Sequence, residues 1–388
     1  MTDSALPSRL QVSDPDIPFQ RRERRLEAIR MEAVRTGRVE AIGTRPAGSP
    51  IPIASVETGY YGIPLLKEPQ WSWEIPIYFF VGGAAGAAAV IAEFAQMTGA
   101  ETELVNDART VAAIGSILSP ALLVSDLGMP SRFLNMLRVF KIQSPMSVGV
   151  YIVSLFGPSA SSAKIVNWAR RNGSGTMLKI MEGAAGLFAA LTGLGMATYT
   201  GVLIGATAIP VWNENIDILP THFALSGLAA GVSAIQLMGH EESRALNILG
   251  MAASAGETLE GIKIELKKKP VNDPIKNGLS GAITRVGGVL SGPLPLGLRL
   301  AAMFTKGARS KQLVRAASAA SLAGSLLTRV GWIRAGHSSA RDYRLPLQIP
   351  TESSKVGSDT DVADENSAQT VRPRRTKLRP GATAGRPA

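Results

Sequence analysis

Asp126 closes a long apolar run, SILSPALLVSD, and is followed by Gly128 and Pro130, which stop a helix. A carboxylate at such a site is either a proton acceptor and hydrogen-bond anchor at the mouth of a membrane pocket, or the ion partner of Arg132 or Arg138, fixing the turn. Glu257 and Glu260 stand three residues apart in another apolar run, so both lie on one side of a helix. Ionisable groups inside a membrane are costly and mark proton relays by default. An ion pair with Arg299 or Arg285 is the alternative for these two. Glu182 opens a further apolar segment. There it offsets the helix dipole or belongs to a proton path. His222, at the entry of a span, titrates near neutral pH. Tyr199 sits between Thr198 and Thr200, and a buried phenol seeks a partner, either a bound ligand or a neighbouring helix.

The elements that must hold these groups are read from hydropathy. A helix crossing ~30 Å of hydrocarbon needs ~20 mostly apolar residues. Eight stretches come close: about 75–98, 108–127, 146–168, 180–208, 217–239, 243–264, 281–304 and 312–334. The seventh is interrupted by Pro293 and Pro295. The sixth to eighth carry internal charge, which must face the bundle interior, a watery cavity or the interface. The spacing predicts an all-α integral membrane protein with about eight transmembrane helices, in two four-helix halves. It divides the sequence into a polar extension (1–70), a membrane domain (71–340) and a basic tail (341–388). An even number of spans puts both termini on one side, and the loops at Gly173 and Asn272, after the third and sixth spans, fall on opposite faces.

Mean hydropathy is only +0.14 because the polar ends dilute it. The 40 glycines and 5% aromatic content suit close helix packing in lipid. With no cysteine, the protein can hold neither a disulfide, an iron–sulfur cluster nor a thiolate metal site. Among the three histidines, His222 and His240 bracket one span and cannot share an iron, which argues against haem. The net charge of +11 sits at segment ends and in the tails, as expected for anchoring at anionic headgroups rather than for nucleic acid. Residues 20–38 read as a short amphipathic helix, and the tail, poor in large apolar residues, as disordered. Trp71, Trp73, Trp212 and Trp332 read as an interfacial belt. Loop charge is nearly balanced. Lys67, Arg334, Arg341 and Arg344 tip the termini toward the cytoplasm of an inner-membrane protein.

Four stretches, in order, resemble the NrfD/polysulfide-reductase membrane-subunit family. They are TGYYGIPLLKEPQWSWEIPIYFFVGG, SPALLVSDLGMPSRFLNMLRVFKIQSPMSVGVYI, YTGVLIGATAIPVWNE, and the Arg329-Val-Gly-Trp region with its SARD. Together they span about Tyr60 to Asp342. The resemblance implies a membrane subunit that reacts with menaquinone or ubiquinone and carries no haem or metal. Its partners would be a four-cluster iron–sulfur subunit and, beyond it, a molybdopterin-type or related catalytic subunit. Asp126, Glu257 and Glu182 are then the expected proton-handling carboxylates, and Tyr199, His222, Tyr78 and Arg132 the expected quinone-binding set. The Tyr60–Tyr61 and PLLKEP approach would lie near the docked subunit or the quinone entrance. The first span lacks the histidine that some members use for the head group, so either Tyr78, Asp126 or His222 substitutes or the quinone chemistry is altered. A membrane anchor or a proton- or solute-conducting subunit without quinone chemistry is the competing reading.

Overall fold

The computed structural model describes residues 28, 31–32, 35, 66–127, 133–173, 175–342 and 345–346. The amphipathic segment apart from four helical positions, Tyr60, Tyr61, Arg132 and the tail from 347 lie outside the described residues. Long helices dominate the rest: α1 Glu74–Met97, α2 Thr102–Asp126, α3 Pro145–Asn172, α4 Thr176–Gly205, α5 Leu219–Ile235, α6 Arg244–Leu266, α7 Gly278–Ser291, α8 Pro293–Met303 and α9 Ala308–Arg341. A π-helical turn, Gln236–His240, extends α5. The bend between α7 and α8 falls at Gly292, outside helical geometry, because Pro293 has no N–H to continue the ladder and restricts the residue before it. Ser144 and Ser243 cap α3 and α6, each accepting a backbone N–H at 3.4 Å.

With α7 and α8 as one broken leg, the described helices form eight legs at the predicted positions. Five of these are long and apolar enough to cross a bilayer: Glu74–Met97, Thr102–Asp126, Thr176–Gly205, Leu219–His240 and Gly278–Met303. In α3, α6 and α9, charged side chains and serines lower the hydropathy. The protein is an all-α, multi-pass membrane protein. The legs sort into two groups of four. In one, α1 packs on α2 and α4 while α3 bridges α2 and α4. In the other, α5 packs on α6 and α9 while α9 also holds α7 and α8. Helix α1 joins the groups by packing on α5. That crossing depends on small residues, since a Cβ on Gly227 would lie 2.9 Å from the Gly83 carbonyl oxygen. The outer faces of α2, α3 and α4 expose Ile117, Leu118, Leu155, Ile165, Phe188 and Leu191. A soluble protein would have to cover so large an apolar surface; here it meets lipid.

The tryptophan belt forms only in part. Trp73 and Trp168 are exposed, at 66% and 63%. Trp212 and Trp332 are fully buried, and the Trp212 indole N–H donates to the Trp332 carbonyl at 2.8 Å. They hold the turn Pro210–Asn213 against α9; the Trp212 indole is bonded inside the protein, while the Trp332 indole N–H is buried without an acceptor.

Candidate functional site

The legs have two ends. The one where residues 66–73 and 342 emerge is called the terminal end here, and the other the far end.

At the terminal end, a cleft of about 670 Å³ opens between the start of α1, the start of α7 and the last turns of α9. Pro76, Ile77, Leu279, Leu326, Val330 and Ile333 make its apolar walls, with Trp71 and Trp73 at one side. Its polar groups are Ser72, Asn277, Ser280, Arg334, His337, Ser338 and Arg341. His337 and Arg341 lie one turn apart on α9, and both reach Glu68 in the extended approach to α1. His337 Nδ1 is 2.9 Å from Glu68 Oε1. Arg341 donates to both Glu68 oxygens, at 2.7 and 3.0 Å, a bidentate pair. Burial pushes the Glu68 carboxyl up, but the bonds from Arg341 and His337 outweigh it and hold the carboxyl below the ordinary range. Across the cleft edge, the Ser72 N–H donates to Asp126 Oδ1 at 3.2 Å, and the Ser72 hydroxyl donates to the same oxygen.

Behind the cleft runs an aromatic array. Trp71 stacks on Trp212 at 5.1 Å and meets Phe79 edge-on at 6.2 Å, while Phe79 meets Phe223 at 6.1 Å. His222 lies 6.2 Å from the Trp332 ring and 6.0 Å from the Phe223 ring. On its other side is a buried polar cluster. Glu257 accepts from the Ser291 hydroxyl, and its second oxygen has no partner. His222 Nδ1 and one Glu260 oxygen are also unpartnered. His222, Glu257, Glu260 and Arg329 lie close enough to interact electrostatically. Arg329 is satisfied mainly by neutral oxygens: Ser226 Oγ at 2.7 Å, Ser325 Oγ at 2.6 Å and the Ser325 and Phe223 carbonyls. It also lies over the Phe223 ring at 5.2 Å.

The far end holds a different joint. Arg109 donates to Glu182 at 2.6 Å and lies 3.6 Å from Glu93. Asn167 donates to Glu182 at 2.8 Å, and Arg170 pairs with its other oxygen. Four helices, α1 to α4, thus meet at Glu182, which is almost fully buried. In the loop region nearby, His240 lies 2.9 Å from Asp107.

The predicted residues therefore do not form one site. Glu257 and His222 share the buried cluster. The alternative ion pairs for Glu257 and Glu260 do not form: Arg285 pairs with Glu265 at 2.7 Å, and Glu260 pairs with Lys263 at 3.0 Å. Asp126 borders the cleft through Ser72, and Arg138 does not pair with it. Tyr78 is buried beside Phe79 and interacts with Tyr199, whose ring lies against Gly149 of α3. Glu182 is at the opposite end, its dipole position taken up by ion pairing. Arg132 lies outside the described residues. Glu68, His337 and Arg341 were not singled out from sequence; the His and Arg four apart at a helix end were the only local sign, since their acid lies in the segment before α1. Among the described residues no three His, Cys, Asp or Glu side chains gather as metal ligands would.

The family model described as polysulphide reductase, NrfD, matches residues 66–245, somewhat under half of the sequence. The C subunit of the polysulfide reductase of Wolinella succinogenes is 26% identical over 197 residues, covering 44% of this protein and 58% of that one. The protein thus spans rather more than half the length of this curated relative. The resemblance seen in the sequence is borne out over the family match, which includes Trp71, Ser72, Tyr78, Asp126, Glu182, Tyr199 and His222. Helices α7 to α9 and most of α6 lie beyond the matched residues.

Proposed function

We propose that this protein is the quinone-reacting membrane subunit of a multi-subunit oxidoreductase, and that the quinone head enters the cleft between α1, α7 and α9. The observation that carries this reading is the cleft itself: it has the volume of a small-molecule site, apolar walls and a few convergent polar groups at one membrane end. The NrfD match and the name of the curated relative support the redox setting. A quinone ring and the first units of its tail suit walls of Ile77, Leu279, Val330 and Ile333. Each head-group oxygen needs a hydrogen-bond donor. His337 uses Nδ1 toward Glu68, leaving Nε2 to give or take a ligand proton, and the Glu68 carboxylate orients the imidazole and stabilises its charged form. Arg341 fixes that carboxylate. Asp126 acts by holding Ser72 and with it the Trp71–Trp73 edge. Menaquinone and ubiquinone both meet these demands.

Electrons are exchanged with a docked four-cluster iron–sulfur subunit that serves a molybdopterin-type or related catalytic subunit. All eight legs cross the inner membrane, with both ends of the protein in the cytoplasm. His222 and Glu257 form an interior proton store. A second reading, a proton-conducting subunit without quinone chemistry, is favoured by that same cluster, which has unpartnered titratable groups deep in the bundle.

Replacing His337 with Ala separates the two. Quinone-linked turnover per assembled complex should fall by about 10²-fold, the contribution of a lost acid–base group, with normal abundance in membranes. Unchanged turnover at normal abundance would remove the cleft from the reaction.

A further inference from the structure

Three arginines are fully or almost fully buried among the described helices, and they are balanced differently. Arg109 faces two carboxylates, Glu182 and Glu93. Arg329 is met by backbone carbonyls, an aromatic face and the nearby Glu257. Arg299 of α8 has none of these. Its guanidinium donates to Gln236 Oε1 at 2.6 Å, to Ser233 Oγ at 3.1 Å and to Ser318 Oγ at 3.5 Å. Among the described residues no carboxylate pairs with it within 4.0 Å. A guanidinium withdrawn from water needs an opposite charge unless its surroundings supply one. The Nε of all three arginines lacks an acceptor, and beside Arg299 the Gln236 Nε2 lacks one too, both Arg299 and Gln236 being 0% exposed. A missing negative charge and unmet donors at one point describe the site of an anion.

At the far end a second cavity of about 510 Å³ lies among the ends of α6, α8 and α9. Arg244, Lys306 and Lys311 line it together with Glu241 and Glu242, Lys311 pairing with Glu242 at 2.9 Å, and Asn247 forms part of its lining. Asn247 donates to the Arg299 backbone carbonyl at 3.3 Å. One turn deeper along α6, Gly250 lies directly against the Arg299 guanidinium, where any larger residue would collide with it.

We infer that Arg299, Gln236 and Ser318 hold a small inorganic anion of the halide class, admitted from the far-end cavity, as the counter-ion of the second four-helix group. The inference is independent of the quinone reading. A molecule without quinone chemistry would need the same charge balance.

The test uses the full-length protein in detergent, with chloride, bromide or gluconate as the sodium salt. Chloride and bromide should raise the thermal unfolding midpoint by about 3 °C or more over gluconate and should saturate, as ligand linkage requires. Bromide anomalous scattering should give a peak beside the Arg299 guanidinium. Arg299→Gln should abolish both effects. If that variant does not accumulate, Gln236→Glu decides: a carboxylate placed where the amide now meets Arg299 supplies the charge internally. The protein should then be stable in gluconate and indifferent to halide. Equal midpoints in the three salts, or a halide effect that survives in Gln236→Glu, would overturn the assignment. So would bromide located only elsewhere.

Discussion

Glu68 ties the segment before α1 to the last turn of α9 through three hydrogen bonds. Because these bonds hold its carboxyl below the ordinary value of 4.5, the tie contributes stability that is fully present above that value and is lost as pH falls through the lower folded-state value. The strap should therefore stay closed at neutral pH and open in acid below about pH 4.5. Hydrogen exchange of residues 66–73, corrected for its intrinsic pH dependence, should show protection lost there, and Glu68→Gln should show the same loss already at neutral pH. At the far end, Arg109→Ala leaves Glu182 and Glu93 buried without their shared cation. Breaking such a pair is expected to remove ~3–5 kcal/mol, enough to deplete the protein from membranes. Intact abundance by immunoblot would show that the joint is dispensable. Residue chemistry was legible where local spacing sufficed: Glu257 and Glu260 share a helix side by arithmetic alone. Glu182 reads locally as a dipole partner because its cations come from α2 and α3, which spacing cannot reveal. Likewise, a histidine near a helix end with its acid 269 residues away gives little local sign of a site.

At the scale of the element, the apolar stretches and the two prolines predicted the legs and the break before α8, because length and a missing N–H act locally. The belt reading failed for Trp212 and Trp332 because composition does not say whether an indole meets lipid or another helix. Close helix approach makes a sharper prediction. Gly227→Leu forces a bulky group against the Gly83 carbonyl and should lower the unfolding midpoint, overpacking being worth about 1–3 kcal/mol. Gly261→Ala, on an exposed face of α6 with open space around it, should leave the midpoint unchanged or raise it, since alanine is the better helix former by ~1 kcal/mol. Detergent melts of the two variants compare them directly.

Across the whole molecule, the alternation of legs puts the α3–α4 loop and the segment after α6 on opposite faces. Asn272 is buried against Asn215, so the exposed Lys268 is the better reporter. Because the protein has no cysteine of its own, Gly173→Cys and Lys268→Cys give clean labels. They should react with an impermeant maleimide from opposite sides of sealed vesicles. Reaction from the same side would break the eight-crossing plan. The two halves of the molecule also divide the chemistry. The first group is braced at the far end by ion pairs, the second holds His222, Glu257 and Glu260 with unpartnered atoms, and the cleft lies between the two. The central claim is that quinone binds in that cleft, and photolabelling with an azidoquinone in native membranes tests it most directly. Mass spectrometry should place the adduct on residues 71–77 or 326–341, with competition by unmodified quinone. Competed labelling confined to other helices, with none on these two segments, would contradict it.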